Sequence, residues 1–419
     1  MDILLIWVVF MLVFMALTYL LGERGAASAC GKEGTSEQPS ISSDTLKGFA
    51  ERVARVIAVS GSEVRGAGVM FEGRLKTSPE GALAELRQVF APDRLAPLLQ
   101  DGTGGEVRLV LIPQTEALMQ RPAVVEKPNW AVHLLLFVIT LLTTTWAGAL
   151  HAGVNLLHEP GRIAVGLPYS LGLMLILGSH ELGHYFTARR HGVSVTPPYF
   201  IPAPFALGTF GAFIRIKSLS PDRRATFDLA VAGPLAGLVF AIPALLIGLR
   251  QSRIVIENAS PDVLHTGMQI GSSFLMAILA KLALGASTLE GHQLILHPLA
   301  FAGWLGLLVT ALNLLPIGQL DGGHIAHAMF GARRGHAISV GGLMTLFALA
   351  LFVWPGLMMW ALVVWLIAGD RDAPPLNDVT PLNTGRRMLG WLVFVILAAI
   401  LVPVPRALYP TFGIHSPYL

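Results

Sequence analysis

His180-Glu181-Leu182-Gly183-His184 puts two imidazoles and a carboxylate within five residues, inside an apolar run from about residue 163 to residue 188. Ionisable side chains in a membrane span are costly and usually have a function there. The spacing fits H-E-x-x-H. On a helix, residues four apart share a face, so both imidazoles can point at one ion. The intervening glutamate can then sit beside a water bound to that ion. Zinc lowers the pKa of such a water from 15.7 towards about 7, which makes a nucleophile available at neutral pH. The glutamate takes the proton and passes it to a leaving amine. The chemistry indicated is metal-assisted hydrolysis of a peptide bond.

Two histidines leave a catalytic zinc one protein ligand short. The single cysteine, Cys30, lies outside the spans. That excludes a thiolate ligand, and a lone cysteine also excludes an intramolecular disulfide. The stretch NLLPIGQLDGGH, 313 to 324, offers Asp321 at the end of an apolar helix broken by Pro316 and Gly318. Unwound backbone at membrane depth is tolerated where it lines a protein-enclosed site. Asp321 is the expected third ligand. His324 and His327 are the alternatives; on a helix starting after Asp321 they point towards solvent or a neighbouring helix.

Taken together, HELGH and NLLPIGQLDGG resemble the site-2 protease family of intramembrane zinc metalloproteases. That family pairs H-E-x-x-H with N-x-x-P-x-x-x-L-D-G, and Asn313, Pro316, Leu320, Asp321 and Gly322 match the second motif position by position. The resemblance implies that His180, His184 and Asp321 bind Zn2+ and that Glu181 is the general base. For Asn313 it implies a part in holding substrate or polarising the scissile carbonyl. AGPLAG, 232 to 237, resembles the helix that packs between the two ligand helices, with Gly233 and Pro234 beside substrate. LGTFGAFIRI, 207 to 216, resembles a membrane-associated β-hairpin. Phe210, Gly211, Ala212 and Phe213 would then offer a strand edge to an unwound substrate. The likeness is to the branch without a PDZ domain, since residues 250 to 301 are too few to hold one. PPLNDVTPLNTGRR, 374 to 387, is similar to that branch's loop. Its Gly-Asn-Leu-Arg motif is matched only by Gly73-Arg74-Leu75-Lys76, without the Asn, and reads better as a strand and turn.

These residues need a scaffold, and composition says which kind. The chain has 419 residues, 53% hydrophobic and 13% charged, against about 25% charged in soluble domains. A net charge of +3 reflects basic loops and gives no nucleic-acid surface. The expected fold class is an α-helical polytopic transmembrane bundle of about eight spans, with a small soluble α+β domain after the first span. Ile3 to Leu21 carries no charge and is long enough to cross a bilayer, giving an anchor over 1–22 and a linker over 23–43. A soluble domain follows over 44–128. In it GVMFEGRL and EVRLVLIP read as strands, and SPEGALAELRQVF as a helix with a Ser cap and Pro at its first position. The metalloprotease domain takes 129–405, and 406–419 forms a tail. Its spans are expected at 131–150, 163–188, 227–249, 296–317, 338–353, 357–369 and 387–402, the 338–369 stretch being broken at Pro355-Gly356.

Basic residues in short loops mark the cytoplasmic side. Arg189, Arg190, Arg215, Lys217, Arg223 and Arg224 put the end of the HELGH helix inside, the N-terminus outside and the 44–128 domain inside. His180 then lies about 12 Å beneath the helix end near Ala188. Asp321 reaches the same depth only if residues 266–285 do not add one crossing, so this segment and 197–216 are expected to re-enter or lie at the interface. The implied protein is a multi-pass integral protein of a bacterial inner membrane or its equivalent. Its partners would be the lipid bilayer and transmembrane protein substrates; the sequence gives no sign of oligomeric state. A membrane metal-ion carrier using the same His/Asp site is the alternative, but a carrier does not need Glu181.

Overall fold

A computed structural model describes residues 43–65, 68–102, 105–113, 128–204, 207–256, 273–285, 292–352, 357–368 and 374–405. The expected anchor at 1–22, the linker at 23–43 and the tail at 406–419 fall outside the described residues, apart from Ser43.

The first unit is α+β. Helix α1 (Ser43–Val53) precedes strands β1 (Ile57–Arg65) and β2 (Gly68–Leu75), helix α2 (Pro79–Phe90), and strands β3 (Leu95–Asp101) and β4 (Val107–Pro113). The antiparallel sheet has the order β1-β2-β4-β3. Helix α2 starts as its sequence predicts: Ser78 Oγ accepts from the Gly81 N–H at 3.2 Å, and Pro79 takes the first position. Its apolar residues at helical spacing, Ala82, Leu83, Leu86 and Phe90, are buried with Phe49, Val53, Phe71, Leu99, Leu109 and Leu111. Gly73 lies in β2 opposite Val59, so Gly73-Arg74-Leu75 is strand.

The second unit is a helical bundle. It contains α3 (Trp130–His151), α4 (Leu167–Arg190), α5 (Arg223–Arg250), α6 (Phe274–Leu284), α7 (Pro298–Leu314), α8 (Asp321–Phe330), α9 (Ala332–Phe352), α10 (Leu357–Ala368) and α11 (Thr384–Leu401). Four of these, α3, α5, α9 and α11, are long and apolar enough to cross a bilayer, against about eight spans expected. Helix α4 has 24 residues, but its apolar run is interrupted by His180, Glu181 and His184. Helices α7 and α10 have 17 and 12 residues, and the span at Ile3–Leu21 is outside the described residues. The span expected at 338–353 lies, as far as Phe352, on α9. Arg333 and Arg334 limit the hydropathic run at 338, while the helix itself begins at Ala332.

Helix α4 lies at the centre, packed against α3, α5 and α7. Tyr169, Leu173, Leu177, Phe301 and Leu305 bury one of its faces, and Ile176 joins Leu238, Ala241, Leu245 and Leu307 on another. Between α4 and α5 the chain forms a hairpin of β5 (Tyr199–Pro202) and β6 (Thr209–Phe213), with Phe200 edge-on to Phe137 of α3. After α5, β7 (Arg253–Ile256) pairs antiparallel with β8 (His292–Ile295), which leads into α7. The intervening chain therefore leaves and returns at one end of the bundle. Its described helix, α6, has 11 residues, about 16 Å, roughly half of a 30 Å hydrocarbon core. Residues 257–272 are outside the described set.

Candidate metal centre

His180, Glu181 and His184 are all buried at the middle of α4. The spacing of four brings the two imidazoles together, with Nε2 of His180 and Nε2 of His184 3.1 Å apart. Asp321, the first residue of α8, brings Oδ2 to 3.4 Å from each of these nitrogens. All three ligand atoms fit within 4.8 Å, the one such His/Cys/Asp/Glu group found among the described residues.

Local chemistry fixes each member. His184 donates Nδ1–H to the Leu229 carbonyl of α5 at 2.8 Å, so the neutral ring turns its Nε2 lone pair into the cluster. Asp321 is delivered by the break after α7. Gly318 takes φ +49°, and its N–H donates to Ser339 Oγ of α9 at 2.6 Å. A Cβ on Gly322 would fall 1.9 Å from the Leu314 carbonyl oxygen. Glycine after the aspartate is therefore what lets α8 start directly under the end of α7.

Two imidazole lone pairs and a carboxylate oxygen, all acceptors, face one another in a buried space. Such a set is stable only around a cation or a captured proton. Four donors around a tetrahedral ion at about 2.0–2.1 Å lie about 3.3 Å from each other; the separations here are 3.1, 3.4 and 3.4 Å. The residues fit a metal.

Around this core, the backbone of Ile214, just after β6, stands near the Glu181 carboxylate. Asn313 Nδ2, at the end of α7, lies 3.3 Å from His180 Nε2. Gly233 of α5 faces the His184 ring, with Pro234 next along the helix. Phe210 to Phe213 form β6, with Phe210 exposed and the other three half-buried. The alternatives for the third ligand are not in the cluster: His327 Nε2 instead meets Asp378 Oδ1 at 3.0 Å. Sequence reasoning missed Leu229, Ile214, Arg223 and Asp378 as parts of this frame. The first two act through backbone atoms and leave no side-chain signal. Arg223 stood out only as a topology marker, and Asp378 only as part of a similar loop.

An H-E-x-x-H helix closed by a carboxylate from a second helix, within an apolar bundle, forms a group that could hold a metal ion. Comparison with known proteins shows what the chain is similar to. Residues 168–354 match the model of peptidase family M50. The chain is 35% identical over 259 residues to the probable zinc metalloprotease EGY1, chloroplastic, of Arabidopsis thaliana, covering 60% of this chain and 45% of that protein. It is 29% identical to the EGY1 protein of Oryza sativa subsp. japonica, covering 83% of this chain and 65% of that one. Identity to EGY2 of Arabidopsis thaliana is also 29%, over 83% and 62% of the two chains. The chain thus spans between about half and two thirds of the length of these relatives. No solved structure matches. Residues 168–354 are thus similar to peptidase family M50, in agreement with the resemblance carried by the HELGH and NLLPIGQLDGG motifs.

Proposed function

We propose that the protein is a zinc-dependent intramembrane endopeptidase that hydrolyses peptide bonds of transmembrane protein substrates. The observation that carries this is the convergence of His180, His184 and Asp321, from two helices, beside Glu181 in a buried part of the bundle. The three residues would hold Zn2+, as the relatives' names imply. When bound, zinc supplies a Lewis acid and a water acidic enough to ionise at neutral pH. Glu181 accepts the proton of the attacking water and delivers it to the leaving nitrogen. Asn313, at the edge of the cluster, offers its amide N–H to the scissile carbonyl.

A helical substrate hides its peptide bonds and must be extended to be cut. Strand β6 pairs with β5 at the side of the bundle, and Phe210, Gly211, Ala212 and Phe213 are the residues along which an extended substrate strand would add. Gly233 and Pro234 of α5, the former against the His184 ring, are the further residues proposed to lie beside substrate. The soluble unit sits at the end marked by Arg189, Arg190, Arg223 and Arg224, with Glu80 3.6 Å from Arg224 and Asp101 3.8 Å from Arg223. That supports a cytoplasmic position for it.

Glu181→Gln in the purified full chain, reconstituted with a transmembrane substrate, tests this reading. The proposal expects zinc to remain stoichiometric and cleavage to fall by at least about 100-fold. Undiminished cleavage would refute it, and metal transport without proteolysis by the wild type would point to a carrier.

A further inference from the structure

Asp378 lies in the loop between α10 and α11, far from the metal centre in sequence, yet its side chain is only 1% exposed. Its Oδ1 accepts from Arg223 Nε at 3.0 Å and faces His327 Nε2 at 3.0 Å. Arg223 opens α5, the helix whose Leu229 and Gly233 hold His184. His327 lies on the same ten-residue helix as Asp321. The backbone around Asp378 is held as tightly. Leu376 N–H donates to Ser220 O and Arg223 N–H to Asn377 O, while Leu99 of β3 donates to Leu376 O at 2.9 Å and accepts from Asp378 N–H at 2.8 Å. The start of α5 and helix α8 therefore meet at one side chain, and the sheet edge meets them at the backbone of the same residue.

Helix α8 needs such a fastening. Isolated helices shorter than about 12–15 residues are marginal, and α8 has ten residues with no side-chain cap at its start. Its placement, and with it the placement of Asp321, comes from tertiary contacts. The charge arrangement also points to placement more than to stability. Arg223 and His327 converge on one oxygen without the two-pronged Arg–carboxylate geometry. Asp378 Oδ2 and Arg223 Nη2 find no hydrogen-bond partner among the described residues, although Asp101 stands 3.8 Å from the latter. Buried ion groups are weak stabilisers relative to apolar packing, and their best-attested use is to set register.

We infer that Asp378 is a positioning residue for the metal centre. Through His327 it seats the helix that begins with Asp321, and through Arg223 and Leu99 it references that helix to α5 and to the edge of the α+β sheet. The inference rests on the reading of Asp321 as a zinc ligand.

The test compares wild type, Asp378→Ala and His327→Ala as full chains in detergent, by hydrogen–deuterium exchange over 167–190 and 321–330 and by zinc affinity. Both variants are expected to speed exchange in 321–330 by roughly tenfold or more, with 167–190 unchanged, and to weaken zinc binding by about 10–100-fold. His327→Ala leaves the Arg223–Asp378 pair in place, so it answers the question even if Asp378→Ala does not fold. Unchanged exchange in 321–330, or an equal rise over both helices, overturns the inference. A wild-type chain with no zinc that His184→Ala can remove counts against the metal reading alone, because exchange in 321–330 still judges Asp378.

Discussion

Gly233 presses its Cα against the face of the His184 imidazole: a Cβ there would stand 2.1 Å from Nε2 and 2.4 Å from Cε1. No rotamer change relieves this contact, because His184 is pinned from the other side by its bond to the Leu229 carbonyl. The ring must shift by about an ångström, and a shift of that size in a catalytic group costs on the order of 100-fold in rate. Gly233→Ala should therefore lose at least that much cleavage activity together with much of its zinc. Gly237→Ala is the control, since its Cβ would lie 3.4 Å from His180 Cβ, an ordinary contact; it should retain zinc and activity within a few-fold. Equal behaviour of the two variants in metal analysis would contradict this geometry.

Metal removal follows from the donor set. Dialysis against a strong chelator should abolish cleavage, and stoichiometric zinc should restore it. Loss of one ligand should weaken zinc binding by more than the about 10–100-fold typical of an outer hydrogen-bond partner. We expect this for His180→Ala, His184→Ala and Asp321→Ala alike, because their ligand atoms are equally close. His324→Ala, outside the cluster, should keep its zinc. Competition with a zinc-sensitive dye separates the two classes.

Stability of the α+β unit should separate cleanly from the metal centre at Ser78. Its hydroxyl caps α2, and such caps contribute about 1 kcal/mol. Ser78→Ala should lower the unfolding free energy of this unit by that amount, read by limited proteolysis under denaturant, with zinc content unchanged. A fall in zinc would mean that α2 is coupled to the site.

What the sequence made legible was whatever is written in short-range spacing. HELGH states its own geometry, since i and i+4 on a helix must be neighbours. LDGG states the break that delivers Asp321, and Ser78-Pro79 states where α2 begins. The features that escaped are of another kind. Strand β3, LAPLLQD, carries Pro97 and lacks alternation, yet forms because its other edge is taken by the loop at 376–378. Helix α9 runs on through Arg333 and Arg334, because backbone hydrogen bonding does not stop where hydropathy does. The Arg223–Asp378–His327 contact joins residues 155 and 51 positions apart, and no local pattern encodes such a meeting.

The pairing of β7 with β8 has a bearing on engineering. That small ribbon ties the exit of α5 to the entrance of α7, so the two ends of the intervening segment are held side by side. A reporter or affinity handle spliced between these ends would leave the direction and order of α4 and α8, the two helices that carry the candidate ligands, untouched, so the protein could be labelled without rewiring its interior.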